Sequence, residues 1–137
     1  MGSDAELIRR LTDEVFVEGD IAKVDELLAD TFVDHDPMPG VPGTKDGMRQ
    51  IAEMVVATFS DRKAEMDEYL ETTDGRVVEN WAMSGRHTGD GFLVPPSGEE
   101  IRVRGMEIWR CADDKVVEHW GVVDMSDVFM KASQAPA

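Results

Sequence analysis

The spacing of apolar residues changes once along this chain, from a helical repeat to a strand repeat. Before about residue 60, apolar side chains recur every three or four residues in three separate segments, the first running from Leu7 to Phe16. From about residue 62 to residue 125 they alternate with polar residues instead, as half-buried strands do. Helices followed by consecutive strands favour an α+β fold, with the helices packed on one side of a curved antiparallel sheet.

Local signals divide the first part into three helices. Ser3 and Glu6 have the spacing of a capping box, Asp20 is placed to cap a short second helix, and Thr44 to cap a third. The predicted inward stripes are Ile21, Val24, Leu27 and Leu28 in the second helix, and Met48, Ile51, Val55 and Phe59 in the third. Between these helices, "TFVDHDP" reads as a brief extended segment closed by its proline, too short to be a central strand.

Four strand-like runs follow. The pair Asp74-Gly75 separates the first two runs and is typical of a type I′ hairpin. A long connection, 89–100, leads to two more runs, 100–111 and 115–125, joined by a turn at "ADD". The second part of the chain therefore predicts an antiparallel meander.

Length and composition limit the possible settings and partners. The 137 residues predict one domain over 1–137, with loose ends at 1–3 and 131–137. The single cysteine, Cys111, excludes an intramolecular disulfide and favours a cytoplasmic location, and the start of the chain lacks the apolar core of a signal peptide. A formal charge of -15 repels phosphate backbones and anionic lipid surfaces, which argues against nucleic acid and membrane partners. No apolar run approaches the roughly 18 residues that a membrane-spanning helix needs.

Four strings carry a resemblance to a known family. They are "FVDHDP" (32–37), "GRHTGDGFLVPPSGEEI" (85–101), "GMEIWR" (105–110) and "KVVEHWGVVDM" (115–125). In this order and at these separations they resemble the SnoaL-like polyketide cyclase family of the nuclear-transport-factor-2-like (NTF2-like, or ketosteroid-isomerase-like) superfamily. The resemblance covers nearly the whole chain. It implies a cone in which N-terminal helices pack on a strongly curved antiparallel sheet around an apolar pocket.

The resemblance also implies an activity and a partner. The best-known members close a ring in an aromatic polyketide by intramolecular aldol condensation, without metal or organic cofactor, using an aspartate as acid and base. The position matching that aspartate is Asp124, and the expected ligand is a small hydrophobic or polycyclic substrate. Members are commonly dimers through the back of the sheet, and apolar residues on both parities of the strands favour a homodimer here too.

Asp124 has two interpretations. As an acid/base it should lie among Trp120, Val122 and Met125, since apolar neighbours raise the pKa of a carboxyl group towards the working pH. Alternatively, Asp124 caps the helix predicted for "MSDVFM", for which aspartate is a favoured residue.

Two histidines are further candidates for catalysis. His35 lies between two aspartates, Asp34 and Asp36, which could orient its ring to polarise a substrate carbonyl; it could equally be a surface histidine. His87 shares strand parity with Trp81 and could face the pocket, or could be a hydrogen-bonded core histidine.

The predicted pocket residues are mostly aromatic, and an ordinary core would look similar. They are Trp81, Glu107, Trp109, Trp120, Phe32 and Met54. Burying Glu107 unpaired would be costly, so a cationic partner or a proton is implied. Strict alternation puts Glu118 and His119 on opposite faces. We interpret Glu118 as a structural ion-pair partner and His119 as a residue of the outer or dimer face.

The sequence is also compatible with two other functions. A non-catalytic module could hold a small hydrophobic ligand in the same pocket. A limonene-type epoxide hydrolase would need two acids bridged by an arginine. Arg104, Glu107 and Asp124 are candidates, but no Asp-x-Arg or Arg-x-Asp pair stands on the relevant strand, so this function ranks below the cyclase. The histidines lack metal-motif spacing, so no metal site and no cofactor are predicted.

Overall fold

The computed structural model describes residues 2–134. In chain order the elements are α1 (Ser3–Arg10), a π-helical segment (Leu11–Val17), α2 (Lys23–Leu27), β1 (Leu28–Asp34), α3 (Lys45–Thr58), β2 (Phe59–Glu71), β3 (Arg76–His87), β4 (Glu100–Ala112), β5 (Lys115–Asp124) and α4 (Ser126–Gln134). Residues 1–3 and 131–137 were predicted to be loose ends. This is wrong for Ser3, which begins α1, and for residues 131–134, which belong to α4. Met1 and residues 135–137 lie outside the described part.

The three predicted N-terminal helices are present. The first continues without a break from α1 through the π-helical segment, and its residues Ala5, Ile8, Leu11 and Val15 are fully buried. The capping box does not form, because α1 has no side-chain cap. Thr44 caps α3 as predicted: its Oγ1 accepts a hydrogen bond from the Gly47 N–H at 3.3 Å.

The strands form one five-stranded sheet in the order β1-β5-β4-β3-β2. Strands β2 to β5 are antiparallel neighbours, and β1 adds to β5 as a parallel edge strand. The sheet is curved and does not close, and helices cover its inner face, which confirms the predicted α+β cone. Two boundaries differ from the predictions: Leu28 and Phe59 begin strands rather than ending helices.

The type I′ turn occurs in the second hairpin and not in the first, where it was predicted. Between β2 and β3 the loop has four residues, 72–75, and its only positive φ is at Gly75 (83°). Between β4 and β5 the loop is the two-residue pair Asp113-Asp114, both with positive φ (52° and 60°), as in a type I′ turn. Aspartate tolerates this left-handed conformation better than most residues, which is why a turn without glycine can form here.

A β-bulge interrupts β5 near its start. Arg110 on β4 pairs with Glu118, but the next residue, Cys111, pairs with Val116, so Val117 is the extra residue. The bulge reverses the alternation of side chains, since Val116 and His119 now share the inner face. Every residue of β5 after the bulge therefore faces the side opposite to the one that strict alternation from Val116 predicts.

The buried apolar residues form two clusters. One joins the N-terminal helices to the sheet around Trp109 and Val116, and the other joins Phe59, Phe92 and α4 to the far end of the sheet. The candidate site lies in a cavity between α3 and the inner face of the sheet. No helix of residues 2–134 combines the length and apolar character needed to cross a membrane.

Candidate active site in the apolar cavity

The cavity is largely apolar and holds a few polar groups. Its volume is about 310 Å³, at the lower end of the range for small-molecule sites. Its apolar wall includes Phe16, Met48, Ile51, Val55, Phe59 and Phe92. The polar side chains that line it are Thr12, Asp34, Asp36, Asp67, Glu79, Glu107 and His119. No lysine or arginine of residues 2–134 lines it.

His119 lies between two carboxylates. Its Nδ1 is 2.8 Å from Asp34 Oδ1, and its Nε2 is 2.9 Å from Glu107 Oε1. Parallel pairing of β1 with β5 makes Asp34 the register partner of His119, and Glu107 reaches it from β4. Trp109 packs its indole against the imidazole, with ring centroids 4.2 Å apart. The three polar side chains are nearly enclosed, so the carboxylates act on the imidazole with little screening by water.

These contacts keep a proton on His119. Burial alone would lower the pKa of His119, but the hydrogen bonds to Asp34 and Glu107 and their negative charges outweigh it and raise the pKa to about 9. At Asp34, burial would raise the pKa, but the hydrogen bond from His119 prevails and lowers it. Near neutral pH the group is therefore an imidazolium between carboxylates.

Asp34 keeps one carboxylate oxygen available. Both of its hydrogen bonds end on Oδ1, one with His119 and one from the backbone N–H of Asp36 at 3.0 Å. Oδ2 accepts no hydrogen bond from the described residues. Glu107 differs, because its Oε1 bonds to His119 and its Oε2 accepts from Trp81 Nε1 at 2.8 Å. Within this group, Asp34 is thus the carboxylate with an oxygen left for a ligand.

A second polar group contains no cation. Glu79 Oε1 accepts a hydrogen bond from Trp109 Nε1 at 3.1 Å, and Glu79 Oε2 accepts one from the Thr12 hydroxyl at 2.6 Å. Asp67 accepts a hydrogen bond from the Tyr69 hydroxyl. Burial is the largest cause that raises the pKa of both Asp67 and Glu79, well above the usual range for Glu79. The cavity therefore combines an ion-paired group around His119 with an acidic group around Glu79, in which burial favours the protonated form.

Gly121 makes room for the His119 group. A Cβ at this position would collide with Glu107 Oε1 and would lie 2.8 Å from His119 Nε2. Both atoms belong to the His119–Glu107 contact, so a larger residue could fit only by separating them. The glycine in "HWG" therefore allows the ion pair to form on the floor of the cavity.

Asp124 is not in the predicted environment. Its side chain is exposed, and its Oδ1 accepts a hydrogen bond from the Ser126 N–H at 2.9 Å, at the start of α4. The side-chain and backbone hydrogen bonds of Ser126 lower the pKa of Asp124. The prediction of an apolar surrounding and a raised pKa is wrong, and the alternative interpretation as a helix cap agrees with the geometry.

His35 and Trp120 lie together on the outer face of the sheet. Their rings stack with centroids 4.7 Å apart, and His35 Nε2 is 2.7 Å from Glu118 Oε2. Neither residue lines the cavity. The predicted pocket position of Trp120 is therefore wrong, and for His35 the alternative of a surface histidine agrees with the geometry. Glu118 also pairs with Arg110, as expected of a structural ion-pair partner. The bulge at Val117 explains the exchange, since it turns Trp120 outward and His119 inward.

His87 is a core histidine. Its side chain is fully buried against Phe59, and its Nδ1 accepts a hydrogen bond from the Ser97 N–H at 3.5 Å. Burial lowers the pKa of His87, which keeps the ring neutral. It shares the inner face with Trp81 but does not line the cavity, so of its two predicted roles the structure places it in the core one.

Three of the six predicted pocket residues line the cavity. Trp81, Glu107 and Trp109 line the cavity, and Glu107 has the cationic partner that its burial implied. Phe32 and Met54, like Trp120, do not line it. Phe32 is buried in the core between helices and sheet, and Met54 packs in the cluster around Phe59.

Sequence reasoning missed His119, Asp34, Asp67 and Glu79. For Glu79 a signal existed: it is an acid within the strand-like string "RVVENWAM", and the cost of burying an unpaired acid applies to it as it does to Glu107. For His119 the signal was weaker. The adjacent pair Val116-Val117 breaks the alternation at the point where the bulge occurs.

The described residues do not form a metal site or the site of an epoxide hydrolase. In residues 2–134, no set of three or more His, Cys, Asp or Glu side chains is placed to hold a metal ion. The arginine-bridged acids of an epoxide hydrolase do not assemble from the predicted residues, because Arg104 donates to Asn80 at 2.7 Å on the outer face while Glu107 faces the cavity.

Solved structures share this fold. TsrD from Streptomyces laurentii superposes with a TM-score of 0.81 at 24% identity, over 95% of this chain and 94% of that one. IdmH from Streptomyces antibioticus, provisionally assigned as a polyketide cyclase, gives 0.76 at 25% identity, over 97% and 99%. AclR from Streptomyces galilaeus, provisionally assigned as a hydroxylase, gives 0.78 at 20% identity, over 98% and 84%. These similarities show the NTF2-like fold.

A comparison with curated proteins gives no match. The family comparison is more informative: residues 6–131 match the family model described as SnoaL-like polyketide cyclase, a span from α1 into α4 that contains every cavity residue discussed above. The chain therefore belongs to the SnoaL-like polyketide cyclase family.

Proposed function

We propose that this protein is a polyketide cyclase-like enzyme that closes a ring in an enolisable aromatic substrate by intramolecular aldol condensation. The proposal rests on one observation: a buried His119, held between Asp34 and Glu107, lines an otherwise apolar cavity. Family membership supports the reaction class, and the cavity supports the substrate class, because apolar and aromatic walls favour a planar, largely hydrophobic ligand.

In the proposed first step, Asp34 removes a proton. Its unoccupied Oδ2 takes the hydrogen from the carbon beside a substrate carbonyl, and the electron pair of that bond forms an enolate. The enolate carbon then attacks a second carbonyl carbon of the same molecule. The new carbon–carbon bond closes the ring, and the carbonyl electron pair becomes an alkoxide that takes up a proton.

His119 supports this step through its charge. Both ring nitrogens are engaged, by Asp34 and by Glu107, so the imidazolium contributes a fixed positive charge rather than a free donor. In an apolar cavity such a charge stabilises a developing enolate more strongly than it would in water. Glu107 holds the ring in place and is itself held by Trp81, which makes it a positioning residue.

Ring closure by the purified protein tests the proposal. Aromatic polyketide intermediates that carry an enolisable 1,3-dicarbonyl group are incubated with the wild type, and mass spectrometry follows products of unchanged mass or of one water less. We expect Asp34→Asn to lower turnover by roughly 10²–10⁴-fold, since asparagine keeps the shape but cannot accept the proton.

Asp30→Asn is the matched control. Asp30 lies on the same strand, exposed and paired with Lys45, so its loss should leave turnover unchanged. Full activity of Asp34→Asn would contradict the assignment of the base. Saturable binding of the intermediates without any ring closure would favour the alternative of a non-catalytic ligand-binding module.

A further inference from the structure

The cavity contains two tryptophan–glutamate pairs built on the same plan. Glu79 on β3 and Glu107 on β4 are direct cross-strand partners, and both face the cavity. Each accepts a hydrogen bond from an indole of the other strand: Trp81 donates to Glu107, and Trp109 donates to Glu79. The two carboxyl groups therefore have the same backbone setting and the same kind of donor, and they differ only in their remaining neighbours.

The neighbour of Glu107 is a cation, whereas the charged neighbours of Glu79 are acids. Glu107 forms an ion pair with His119. Glu79 is 1% exposed and forms no ion pair with any of residues 2–134. From the sheet it is faced by Asp67 and Glu107, both acidic, and from the N-terminal helix by the neutral Thr12. Of the more distant charges, Asp13 and Arg9 act on Asp67 in opposite directions. Two buried acids with no cation between them cannot both ionise at modest cost.

The hydrogen-bond partners of Asp67 indicate where a proton shared with Glu79 would lie. Asp67 Oδ2 accepts a hydrogen bond from the Tyr69 hydroxyl, whereas Asp67 Oδ1 is buried and has no donor among residues 2–134. Asp67 and Glu79 line the same cavity, and the interaction between their carboxyl groups favours the protonated form of Glu79 and the ionised form of Asp67. A proton on Glu79 supplies the donor that Asp67 Oδ1 lacks. The same proton removes the negative charge that Glu79 would otherwise bury.

We propose that Glu79 is the acid of this cavity: it donates its proton to a substrate carbonyl oxygen, and Asp67 holds that proton in place until a ligand arrives. The inference builds on the proposed function, because Asp34 serves as the base and Glu79 as the acid of one reaction. This assignment also narrows the substrate class, because the substrate must present an enolisable C–H to Asp34 and a carbonyl oxygen to Glu79.

The proton balance of the step closes without a further reactant. Asp34 gains the proton of the broken C–H bond, the carbonyl electron pair moves to oxygen as the carbon–carbon bond forms, and that oxygen takes the Glu79 proton. After release of the product, Asp34 holds one proton more and Glu79 one fewer than before. Exchange with water restores both groups.

The first test needs no substrate. In protein labelled with carboxyl-¹³C glutamate, NMR at pH 7 should show one glutamic acid carbon with the chemical shift of a protonated group, and Glu79→Gln should remove that signal. Glu68→Gln is the control, because Glu68 is an exposed glutamate next to Asp67 on β2 and should leave the signal unchanged. A wild type in which every glutamate is ionised at pH 7 would overturn the proposal.

The second test detects the donor directly. The probe is 1-tetralone labelled with ¹³C at its carbonyl, a two-ring aryl ketone. A hydrogen bond from Glu79 should move the carbonyl signal of the bound probe downfield. Glu79→Gln, whose amide also donates, should keep a smaller shift, whereas Glu79→Leu, which has no donor, should abolish it and weaken binding at least tenfold.

The outcomes separate this inference from the proposed function. A bound probe with an unshifted carbonyl signal, or a probe that does not bind, overturns the assignment of Glu79 as donor even if ring closure is observed. A protonated Glu79 with a shifted carbonyl supports the assignment even if no ring closure is found. Neither measurement depends on turnover.

Discussion

At the scale of single residues, the local charges decide which groups hold protons. His119 keeps a proton because Asp34 and Glu107 flank it, whereas burial raises the pKa of Glu79 and so favours its protonated form. The ordinary pKa values of histidine and glutamate would predict the reverse near neutral pH. Divergent environments for titratable groups in one cavity are a common feature of acid/base sites.

Asp124 provides a residue-scale prediction. As the cap of α4, it should tolerate replacement by asparagine, since Asp124→Asn keeps an oxygen that accepts the Ser126 N–H. Asp124→Ala removes that acceptor and should lower the melting temperature by roughly 2–4 °C. Thermal denaturation followed by circular dichroism measures both variants. A large loss of ring-closing turnover in Asp124→Asn, with unchanged stability, would return Asp124 to the active site.

At the scale of elements, the periodicity of apolar residues in the sequence was sufficient to predict the architecture. Helical spacing and strand alternation depend on local backbone geometry, so the three N-terminal helices, the α4 helix and the four antiparallel strands could be predicted. The boundaries at Leu28 and Phe59 could not, because apolar residues suit a buried helix and a buried strand equally well.

The site itself was predicted only in part, and one bulge accounts for the errors at His119 and Trp120 on β5. Counting alternate residues along β5 from Val116 puts His119 outside and Trp120 inside, and the extra residue Val117 reverses both. Asp34 was missed for a different reason: it meets His119 only because β1 pairs with β5 across more than 80 residues of chain. Glu107 was found because the cost of burying an acid can be judged from its strand alone.

At the scale of the whole molecule, the outer face of the sheet predicts self-association. Met106 and Val122 are cross-strand neighbours on β4 and β5, and they are 47% and 74% exposed. Exposed apolar side chains that adjoin on one face are typical of an interface. We therefore expect a homodimer through this face, as the sequence suggested.

Light scattering of the purified protein measures the oligomeric state. The wild type should be a dimer at tens of micromolar, and Val122→Lys should shift it towards monomer, because two like charges would face each other across the interface. Leu93→Lys is the control, since Leu93 is exposed and belongs to the 88–99 connection rather than to a strand of the sheet. A wild type that stays monomeric at that concentration would contradict the expectation.

The central claim is that His119 carries a proton inside the cavity, and its titration tests that claim most directly. NMR of the His119 ring nitrogens should give a midpoint of about 9, and Asp34→Asn should lower it, because one of the two stabilising carboxylates is lost. The raised pKa also means that this proton stabilises the fold fully below pH 6.5 and that the contribution is lost as the pH rises through about 9. A wild-type midpoint at or below 6.5, or one that Asp34→Asn leaves unchanged, would contradict the account.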